Sequence, residues 1–364
     1  MTVPPISPFK QRFLRACYKS IAKPILFAQD PEFVHTFHVQ FGELLGKSSG
    51  GRAFTRTIFS AQHQNLGKTL DGIFFPNPVG LAAGFDYNAS LPHILPELGF
   101  GFAVLGTVTL KKYDGNKKPR LGRYPNSQSL LVNKGFKSIG APAIIKKLTN
   151  LSFKIPVGIS IGSTNQVYPH KVAQITDIVA SFKLFENADL SHDFYELNIS
   201  CPNLKGGQPF TTPALLDDLL TALTIVPISR PVYIKMPIDL LADQTLALLK
   251  SAQKTFISGV NFGNLTKDRT NPDITERDRK DWQNVTGNLS GKPTWNRSNA
   301  HIVLTRKVFK NRFTIIGTGG IFSPSDAQAK LNLGADLVQL ITGMIYEGPQ
   351  LIGEILAGLS PSER

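Results

Sequence analysis

The sequence predicts an α/β protein built on a (β/α)₈ barrel, a TIM barrel, with a small helical subdomain at its N-terminus. Beyond Phe74, short β-rich apolar runs alternate with helical stretches, which indicates βα units around a parallel sheet. Roughly eight such runs occur, the number of strands in a closed barrel. The chain has 364 residues, which accommodates a barrel of roughly 250 residues and a modest extension.

The composition excludes several classes of protein. Apolar residues make up 41% of the chain and charged residues 18%, so a large core forms and global disorder is excluded. Cys17 and Cys201 stand far apart without metal-binding spacing, so we predict neither a disulfide framework nor a metal site. No apolar run approaches the roughly 20 residues that span a bilayer, and we expect no signal peptide. The formal charge of +14 is compatible with anionic lipid, nucleic acid or an acidic small molecule.

The first predicted helix, Phe9–Lys23, is basic and amphipathic. Its apolar face has Phe13, Leu14, Cys17, Tyr18 and Ile21, and its basic face has Arg12, Arg15, Lys19 and Lys23. This pattern is typical of a membrane-surface helix, and the alternative is a helix packed on its own domain with a solvated basic face. Pro24 is expected to end the helix, and a second helix is predicted over Pro31–Leu45. We therefore expect residues 1–46 to form a helical membrane-surface element and residues 47–364 to form the barrel.

The predicted barrel elements follow in chain order. The strands are Val79–Gly84, Phe102–Thr109, Val157–Gly162, Phe194–Ser200, Val232–Met236, Gly259–Gly263, Phe313–Gly317 and Asp336–Thr342, and the clearest helices are Thr212–Ile225, Leu240–Phe256, Pro324–Leu333 and Gln350–Leu359. Two long segments, Lys111–Gly140 and Lys267–Arg297, interrupt the alternation after the second and sixth strands. Because barrels build their active sites from the loops after strand C-termini, we expect both segments to be lids or site walls.

Residues that a barrel core does not need gather at the predicted strand ends. They are Ala82-Ala83-Gly84, Thr107, Asn198–Asn203, Lys235, Asn264, Gly319-Gly320 and Thr342-Gly343. Glycines after strands seven and eight are where such barrels bind a phosphate, because bare backbone N–H groups can approach its oxygens closely. Tight turns alone are the alternative explanation of these glycines.

Two strand ends predict specific chemistry. An inward lysine at a barrel mouth is costly without an anion or an electron-rich ring, so Lys235 predicts a ligand contact, with a solvated lysine as the alternative. In the run NISCPN, Asn198 and Asn203 can bind a planar amide or carboxylate, and the Cys201 thiol can move a proton near neutral pH. A buried structural cysteine is the alternative for Cys201.

From about Pro24 to Leu356 the sequence resembles the dihydroorotate dehydrogenase family. The motifs that carry the resemblance, in order, are AQDPEFVH (Ala28–His35), NPVGLAAGFD (Asn77–Asp86), GFGFAVLGTVT (Gly99–Thr109), GNKKPRLGR (Gly115–Arg123), NISCPN (Asn198–Asn203), IKM (Ile234–Met236), NLSGKP (Asn288–Pro293), IIGTGGI (Ile315–Ile321) and LVQLITGMIYEGP (Leu337–Pro349). The ordered combination is more specific than any single motif.

The resemblance implies an FMN barrel that oxidises (S)-dihydroorotate to orotate in de novo pyrimidine biosynthesis. It implies FMN contacts from Ala82, Ala83, Gly84, Thr107, Ser160, Asn198, Lys235, Gly263, Gly291, Gly319, Gly320, Ile341 and Thr342. It implies substrate contacts from Tyr87, Asn133, Gly135, Phe136, Asn198, Asn203, Asn264 and Leu265. It also implies that FMN takes a hydride from C6 while Cys201 removes the C5 proton, and that Lys235 stabilises the anionic reduced ring.

The N-terminal segment is similar to the quinone-reducing class, which implies a membrane quinone as acceptor and a peripheral position on the cytoplasmic face of the cell membrane. Cys201 stands where that class usually carries serine and the soluble class carries cysteine, and Leu204–Phe210 also resembles the soluble class. Tyr87 replaces the usual lysine of GxDK, the loop Asn133–Phe136 is one residue short, and Ser160 replaces an asparagine. Lys134 is a candidate source of the charge that Tyr87 lacks.

Three alternatives remain at this point. A dihydroorotate dehydrogenase with a soluble acceptor accounts for the cysteine. An FMN barrel that reduces uridine in tRNA accounts for the charge of +14, but such enzymes carry a separate RNA-binding domain, and we expect no nucleic acid partner. A non-enzymatic lipid-binding barrel leaves NISCPN and the paired glycines without a purpose.

Overall fold

The computed structural model describes residues 8–59 and 66–360. Its helices are α1 (Pro8–Cys17), α2 (Lys23–Phe27), α3 (Pro31–Lys47), α4 (Ser49–Phe59), α5 (Ala141–Leu148), α6 (Lys171–Glu186), α7 (Pro213–Leu223), α8 (Ala242–Gln253), α9 (Glu276–Gln283), α10 (Trp295–Phe309), α11 (Pro324–Asn332), α12 (Thr342–Glu347) and α13 (Leu351–Gly358). Its strands are β1 (Lys68–Leu70), β2 (Ile73–Phe75), β3 (Val79–Leu81), β4 (Phe102–Val108), β5 (Leu121–Tyr124), β6 (Ser129–Val132), β7 (Val157–Ile161), β8 (Phe194–Asn198), β9 (Val232–Met236), β10 (Ile257–Phe262), β11 (Asn288–Leu289), β12 (Thr314–Thr318) and β13 (Leu337–Leu340).

Eight parallel strands close into a barrel in the order β3, β4, β7, β8, β9, β10, β12, β13, and β13 pairs with β3. The predicted fold class and all eight predicted strands are thus confirmed. The first strand is shorter than predicted, because the chain leaves the regular ladder after Leu81. There the Gly84 N–H donates to the Gly106 carbonyl at 2.8 Å, and Gly84 has a φ of 109°.

The barrel interior has an aromatic floor and a polar layer. Near the strand starts, the rings of Phe75, Phe102, Phe194 and Tyr233 pack on one another, and the β1–β2 hairpin supplies Phe75. Nearer the strand ends, buried polar side chains replace the apolar ones: Ser160, Glu196, Asn261, Thr318 and Gln339. Because buried polar groups need partners, this layer is a hydrogen-bonded network, and it carries the site above it.

The N-terminal helix does not end at Pro24, so that prediction was wrong. A π-helical turn, Tyr18–Ala22, joins α1 to α2, and the Lys23 N–H donates to the Tyr18 carbonyl. Pro24 then stands in the first turn of α2, where a backbone N–H needs no partner within the helix, and the helix continues to Phe27. The second helix is confirmed as α3, and a helix that was not predicted, α4, packs on it.

The two long insertions form one wall. The first provides β5 and β6 and the second provides β11, and together they make a three-stranded antiparallel sheet in the order β11, β6, β5. Asn288 on β11 pairs with Val132 on β6. The segments that were expected to be lids or site walls therefore hold each other over the strand C-termini.

Candidate active site

A cavity of about 540 Å³ runs from the strand ends of the barrel to the N-terminal helices. Its inner part is lined by Asn198, Cys201 and Lys235, and its outer part by apolar side chains of α2 and α3 such as Leu26 and Phe41. A smaller depression of about 80 Å³ adjoins it, and its lining includes Gly263, Gly291, Gly319, Gly320 and Gly343. The two spaces share Ala83, Lys235, Asn264, Leu265, Ser290, Ile341 and Thr342.

The structure brings together most of the side chains that the sequence singled out. The main cavity is lined by Ala83, Gly84, Tyr87, Thr107, Gly135, Phe136, Asn198, Cys201, Asn203, Lys235, Asn264, Leu265, Ile341 and Thr342. The small depression is lined by Ala82, Gly263, Gly291, Gly319 and Gly320 as well. Ser160 and Asn133 are buried outside the cavity lining. Ser160 Oγ bonds to Thr107 of the lining, and Asn133 Oδ1 accepts from Asn116, which also donates to the carbonyl of Asn203 in the lining.

The glycines of the small depression have no room for a side chain. A Cβ on Gly319 would lie 2.2 Å from Thr294 Oγ1, and one on Gly343 would lie 1.8 Å from the Ile321 carbonyl oxygen. Gly319 and Gly320 also have φ values of 97° and 74°, which disfavour other residues. Both turn geometry and close approach thus require glycine, and the exposed backbone suits an anion such as a phosphate.

Lys235 is held inside the barrel mouth by a carboxylate. Its Nζ lies 3.6 Å from Glu196 Oε1. Glu196 also accepts from Ser160 Oγ at 3.0 Å and from Asn261 Nδ2 at 2.6 Å. Lys235 is only 4% exposed, so the alternative of a solvated lysine is wrong.

Glu196 was not singled out from the sequence. The signal that could have found it is its position on β8, two residues before Asn198 and therefore on the same inward face of the strand. A carboxylate at an inward barrel position is costly without a partner, which predicts a nearby cation.

Cys201 lies in the loop after β8 and is buried at the inner end of the cavity. Burial raises the pKa of the thiol to about 12, although the Asn203 N–H and the charge of Lys235 act in the opposite direction. This burial opposes exchange of a proton near neutral pH, and the role of Cys201 as the base stays a prediction. A thiolate forms here only well above neutrality.

The asparagines around the cavity are oriented by one another. Asn116 donates to Asn133 Oδ1 at 2.9 Å and to the Asn203 carbonyl at 3.0 Å, and its own Oδ1 accepts from Tyr113 and Asn165. The Asn203 amide donates to the Val132 carbonyl at 2.9 Å and accepts from Asn288 Nδ2 at 2.6 Å. The two insertions thereby fix Asn203 of NISCPN and Asn133, the residue before Lys134.

Three side chains meet where the N-terminal helices reach the barrel. The His35 ring stacks on Tyr87 with centroids 5.4 Å apart, and Lys134 Nζ lies 4.4 Å from the centre of the Tyr87 ring. Burial lowers the pKa of His35 to about 3, so the imidazole is neutral. Its Nε2 lies 2.8 Å from the Phe85 carbonyl oxygen, which requires the proton on Nε2.

The described residues contain neither a metal-binding cluster nor a membrane-spanning helix. No cluster of histidine, cysteine and carboxylate side chains in residues 8–59 and 66–360 could hold a metal ion. In the same ranges no helix is both long and apolar enough to cross a bilayer.

Comparisons with known proteins agree with this geometry. The sequence model described as dihydroorotate dehydrogenase matches residues 65–362. A relative from Christiangramia forsetii, named dihydroorotate dehydrogenase (quinone), is 36% identical over 93% of this chain and 97% of its own length. A relative of the same name from Trichormus variabilis is 34% identical over 94% of this chain and 93% of its own length. A crystal structure of the Eimeria tenella enzyme in complex with ferulenol superposes with a TM-score of 0.77 at 25% identity, covering 90% of each chain.

The family model matches most of the chain, and the two relatives are more than 30% identical to it. These matches exclude the tRNA-reducing and lipid-binding alternatives. The chain belongs to the dihydroorotate dehydrogenase family.

Proposed function

We propose that this chain oxidises (S)-dihydroorotate to orotate in pyrimidine biosynthesis, with FMN as its cofactor and a membrane quinone as its electron acceptor. The observation that carries the proposal is the convergence of Cys201, Lys235 and the glycine-lined depression on one barrel mouth. A small space with five glycines in its lining lies directly beside a cavity whose inner walls include amides, a thiol and an ammonium.

The residues present fit FMN. Gly291, Gly319 and Gly320 would hold its phosphate, because at these lining positions no side chain covers the backbone. Ala83, Thr107 and Lys235 would contact its ring in the adjoining cavity. Bound FMN would supply the acceptor for the hydride that leaves C6 of the substrate. Lys235, held by Glu196, would stabilise negative charge on that ring.

Cys201 would take the C5 proton of the substrate. Because burial keeps the thiol protonated at neutral pH, only a small thiolate fraction is competent, and the Asn203 N–H and Lys235 stabilise that fraction. Asn198, Asn203 and Asn264 would hold the pyrimidine in the plane that this geometry requires. The Asn264 amide donates to Ser200 Oγ at 2.5 Å, and Ser200 Oγ donates to Asn198 Oδ1 at 3.0 Å, so these amides are oriented before substrate binds.

The outer part of the cavity suits a quinone. Leu26, Val34, Phe41 and Leu45 line it, and it continues without interruption to Cys201. An apolar ring with a long apolar tail matches such a lining better than a water-soluble acceptor does. The soluble-acceptor hypothesis keeps two sequence observations in its favour, Cys201 and the segment Leu204–Phe210.

The N-terminal helices would rest on an anionic membrane at its cytoplasmic face. Their exposed apolar side chains are Phe9, Phe13, Ile21, Ile25, Phe33, Phe37, Phe41, Leu44 and Phe54. Arg15 and Lys19 bond instead to Glu347 of the barrel, at 2.9 and 2.6 Å. The basic residues thus hold the helix to the protein, while apolar residues face outward, which suits interfacial burial. Phe41 is both exposed and part of the cavity lining, so the cavity opens within this surface.

The test is an anaerobic mixing experiment on the purified full chain. Dihydroorotate should abolish the flavin absorbance, orotate should appear in equal amount, and a short-chain quinone should restore the absorbance. Denatured protein should release FMN. If the absorbance is unchanged by dihydroorotate, the proposed reaction is wrong. If quinone restores it no faster than buffer does, the soluble-acceptor hypothesis replaces the quinone.

A further inference from the structure

Lys134 is a buried cation of the cavity with no anion beside it. The residue is 7% exposed, and it lines the cavity that also contains Asn198 and Cys201. Its Nζ lies over the Tyr87 ring, and among the described residues no carboxylate comes within 4.0 Å of it. Lys235, by contrast, has Glu196 as its partner. A buried ammonium without a counter-ion is costly, which favours an anionic ligand at this position.

The charged groups around Lys134 also favour an anion. Glu32 attracts it, but Glu32 Oε2 already accepts from Arg120 at 3.1 Å and Glu32 Oε1 lies 3.5 Å from Lys137 Nζ. Arg120 and Lys137 both repel the ammonium, and the neighbouring His35 is neutral. Burial, with this repulsion, lowers the pKa of Lys134 to about 7. A bound carboxylate would raise the pKa of Lys134 again, because it would place a negative charge beside the ammonium.

The backbone on both sides of Lys134 is fixed. Asn133 Oδ1 accepts from Asn116, and the Gly135 carbonyl accepts from Asn165 Nδ2 at 2.9 Å. Gly135 has a φ of 64°, and a Cβ on it would lie 2.4 Å from the same amide nitrogen. The short loop therefore presents Lys134 in one position relative to Asn198 and Cys201, as a binding residue requires.

We propose that Lys134 binds the carboxylate of the substrate and selects a carboxylated pyrimidine over one without that group. The inference rests on the proposed function, because the carboxylate is that of dihydroorotate and orotate. Lys134, in the loop after β6, would supply the positive charge that Tyr87, in the loop after β3, lacks.

A pH dependence follows, and its sign is set by the ammonium. Below pH about 7, Lys134 is protonated and binds a carboxylate. Above that pH the free protein must take up a proton to bind, so affinity for orotate should fall with rising pH, by up to tenfold per unit. Glu32, Tyr87, His35, Arg120 and Lys137 face the same ammonium. Burial lowers the pKa of His35 to about 3 and raises the pKa of Tyr87, so both of these rings stay neutral between pH 6 and 8.

The experiment compares two ligands on the FMN-loaded full chain. Orotate and uracil, which lacks the carboxylate, are titrated separately, and binding is followed by the change in flavin absorbance and by calorimetry. Lys134→Met should weaken orotate binding by roughly 10- to 150-fold, the range for one charge-assisted hydrogen bond, and leave uracil binding within about threefold. Lys134→Arg should restore part of the orotate affinity and remove the loss of affinity between pH 7 and 8.

Lys137→Met is the matched control, because Lys137 lies 5.5 Å from the same ring centre but is paired with Glu32. It should change orotate affinity by less than about threefold. If Lys134→Met weakens both ligands equally, or neither, the inference is wrong while the proposed function stands. If the wild-type chain binds no orotate and is not reduced by dihydroorotate, both are wrong.

Discussion

Glu196 and Lys235 face each other across two neighbouring barrel strands, with Lys235 Nζ 3.6 Å from Glu196 Oε1. In the register of β8 and β9, Glu196 pairs with Tyr233 and Asn198 pairs with Lys235. The lysine therefore stands one step nearer the cavity than the carboxylate that holds it. Asn261 and Ser160 occupy the remaining acceptor positions of Glu196, so its charge is satisfied on several sides.

We predict that Glu196→Gln lowers the free energy of unfolding by about 3 kcal/mol, because it leaves the buried ammonium of Lys235 without its counter-charge. The measurement is the midpoint of urea unfolding. Glu276→Gln is the control, since its pair with Lys280 is on the surface and should contribute less than about 1 kcal/mol. Equal effects of the two substitutions would show that the buried ion pair stabilises the fold no more than a surface pair does.

We predict that Lys235→Ala weakens FMN retention and slows flavin reduction by dihydroorotate by about 10²–10³-fold, because a fixed cation near the ring is removed. Flavin content per chain after gel filtration and stopped-flow absorbance measure the two effects. Lys205→Ala, a change of a lysine near Tyr113, is the control and should leave flavin content unchanged. Normal flavin content and reduction rate in Lys235→Ala would remove this lysine from the site.

Cys201→Ala should bind FMN normally and slow flavin reduction by roughly 10²–10⁴-fold, the contribution of a positioned base. Cys201→Ser is the sharper variant, because the resemblance to the quinone-reducing class implies serine at this position. In stopped-flow measurements, near-normal rates in the serine variant would indicate that the cavity supplies a path for the proton. Wild-type rates in Cys201→Ala would contradict a role as base and support a structural thiol.

The pH profile of the wild-type chain gives an independent check on Cys201. A pKa of about 12 means that the thiolate fraction rises about tenfold per pH unit through neutrality. The rate of flavin reduction at saturating dihydroorotate should therefore rise with pH without a plateau below about pH 10. A plateau near pH 8 would mean that bound ligands restore an ordinary thiol pKa.

Phe13→Ser, Ile21→Ser and Ile25→Ser together should abolish flotation with anionic liposomes and reduce quinone turnover, without changing flavin reduction by dihydroorotate. All three side chains are exposed, so the fold should be unaffected. Ile225→Ser is the control, because this exposed residue follows α7 on the side of the barrel where the strands begin. Liposome binding of the wild-type chain should weaken as the salt concentration rises. Unaltered flotation of the triple variant would refute the membrane surface proposed for these helices.

The sequence by itself determined the barrel and the positions of most candidate site residues. Parallel strands buried on both faces are near-continuous apolar runs such as Val232–Met236, and eight of them alternate with amphipathic helices. Because all strand C-termini of a barrel meet at one end, Thr107, Asn198 and Lys235 could be placed together without coordinates.

Only the tertiary structure decided what surrounds each of these groups. The burial that raises the pKa of Cys201, and the contact between Lys134 and Tyr87, depend on chain segments that are distant in sequence. The helix at Pro24 also depends on structure that the local sequence does not predict. A helix-ending rule fails there because a π-helical turn shifts the hydrogen bonds by one residue, while Tyr18 donates to the Ile345 carbonyl of the barrel at 2.7 Å. Patterns along the chain report local geometry, whereas charge partners and burial are set by packing between remote segments.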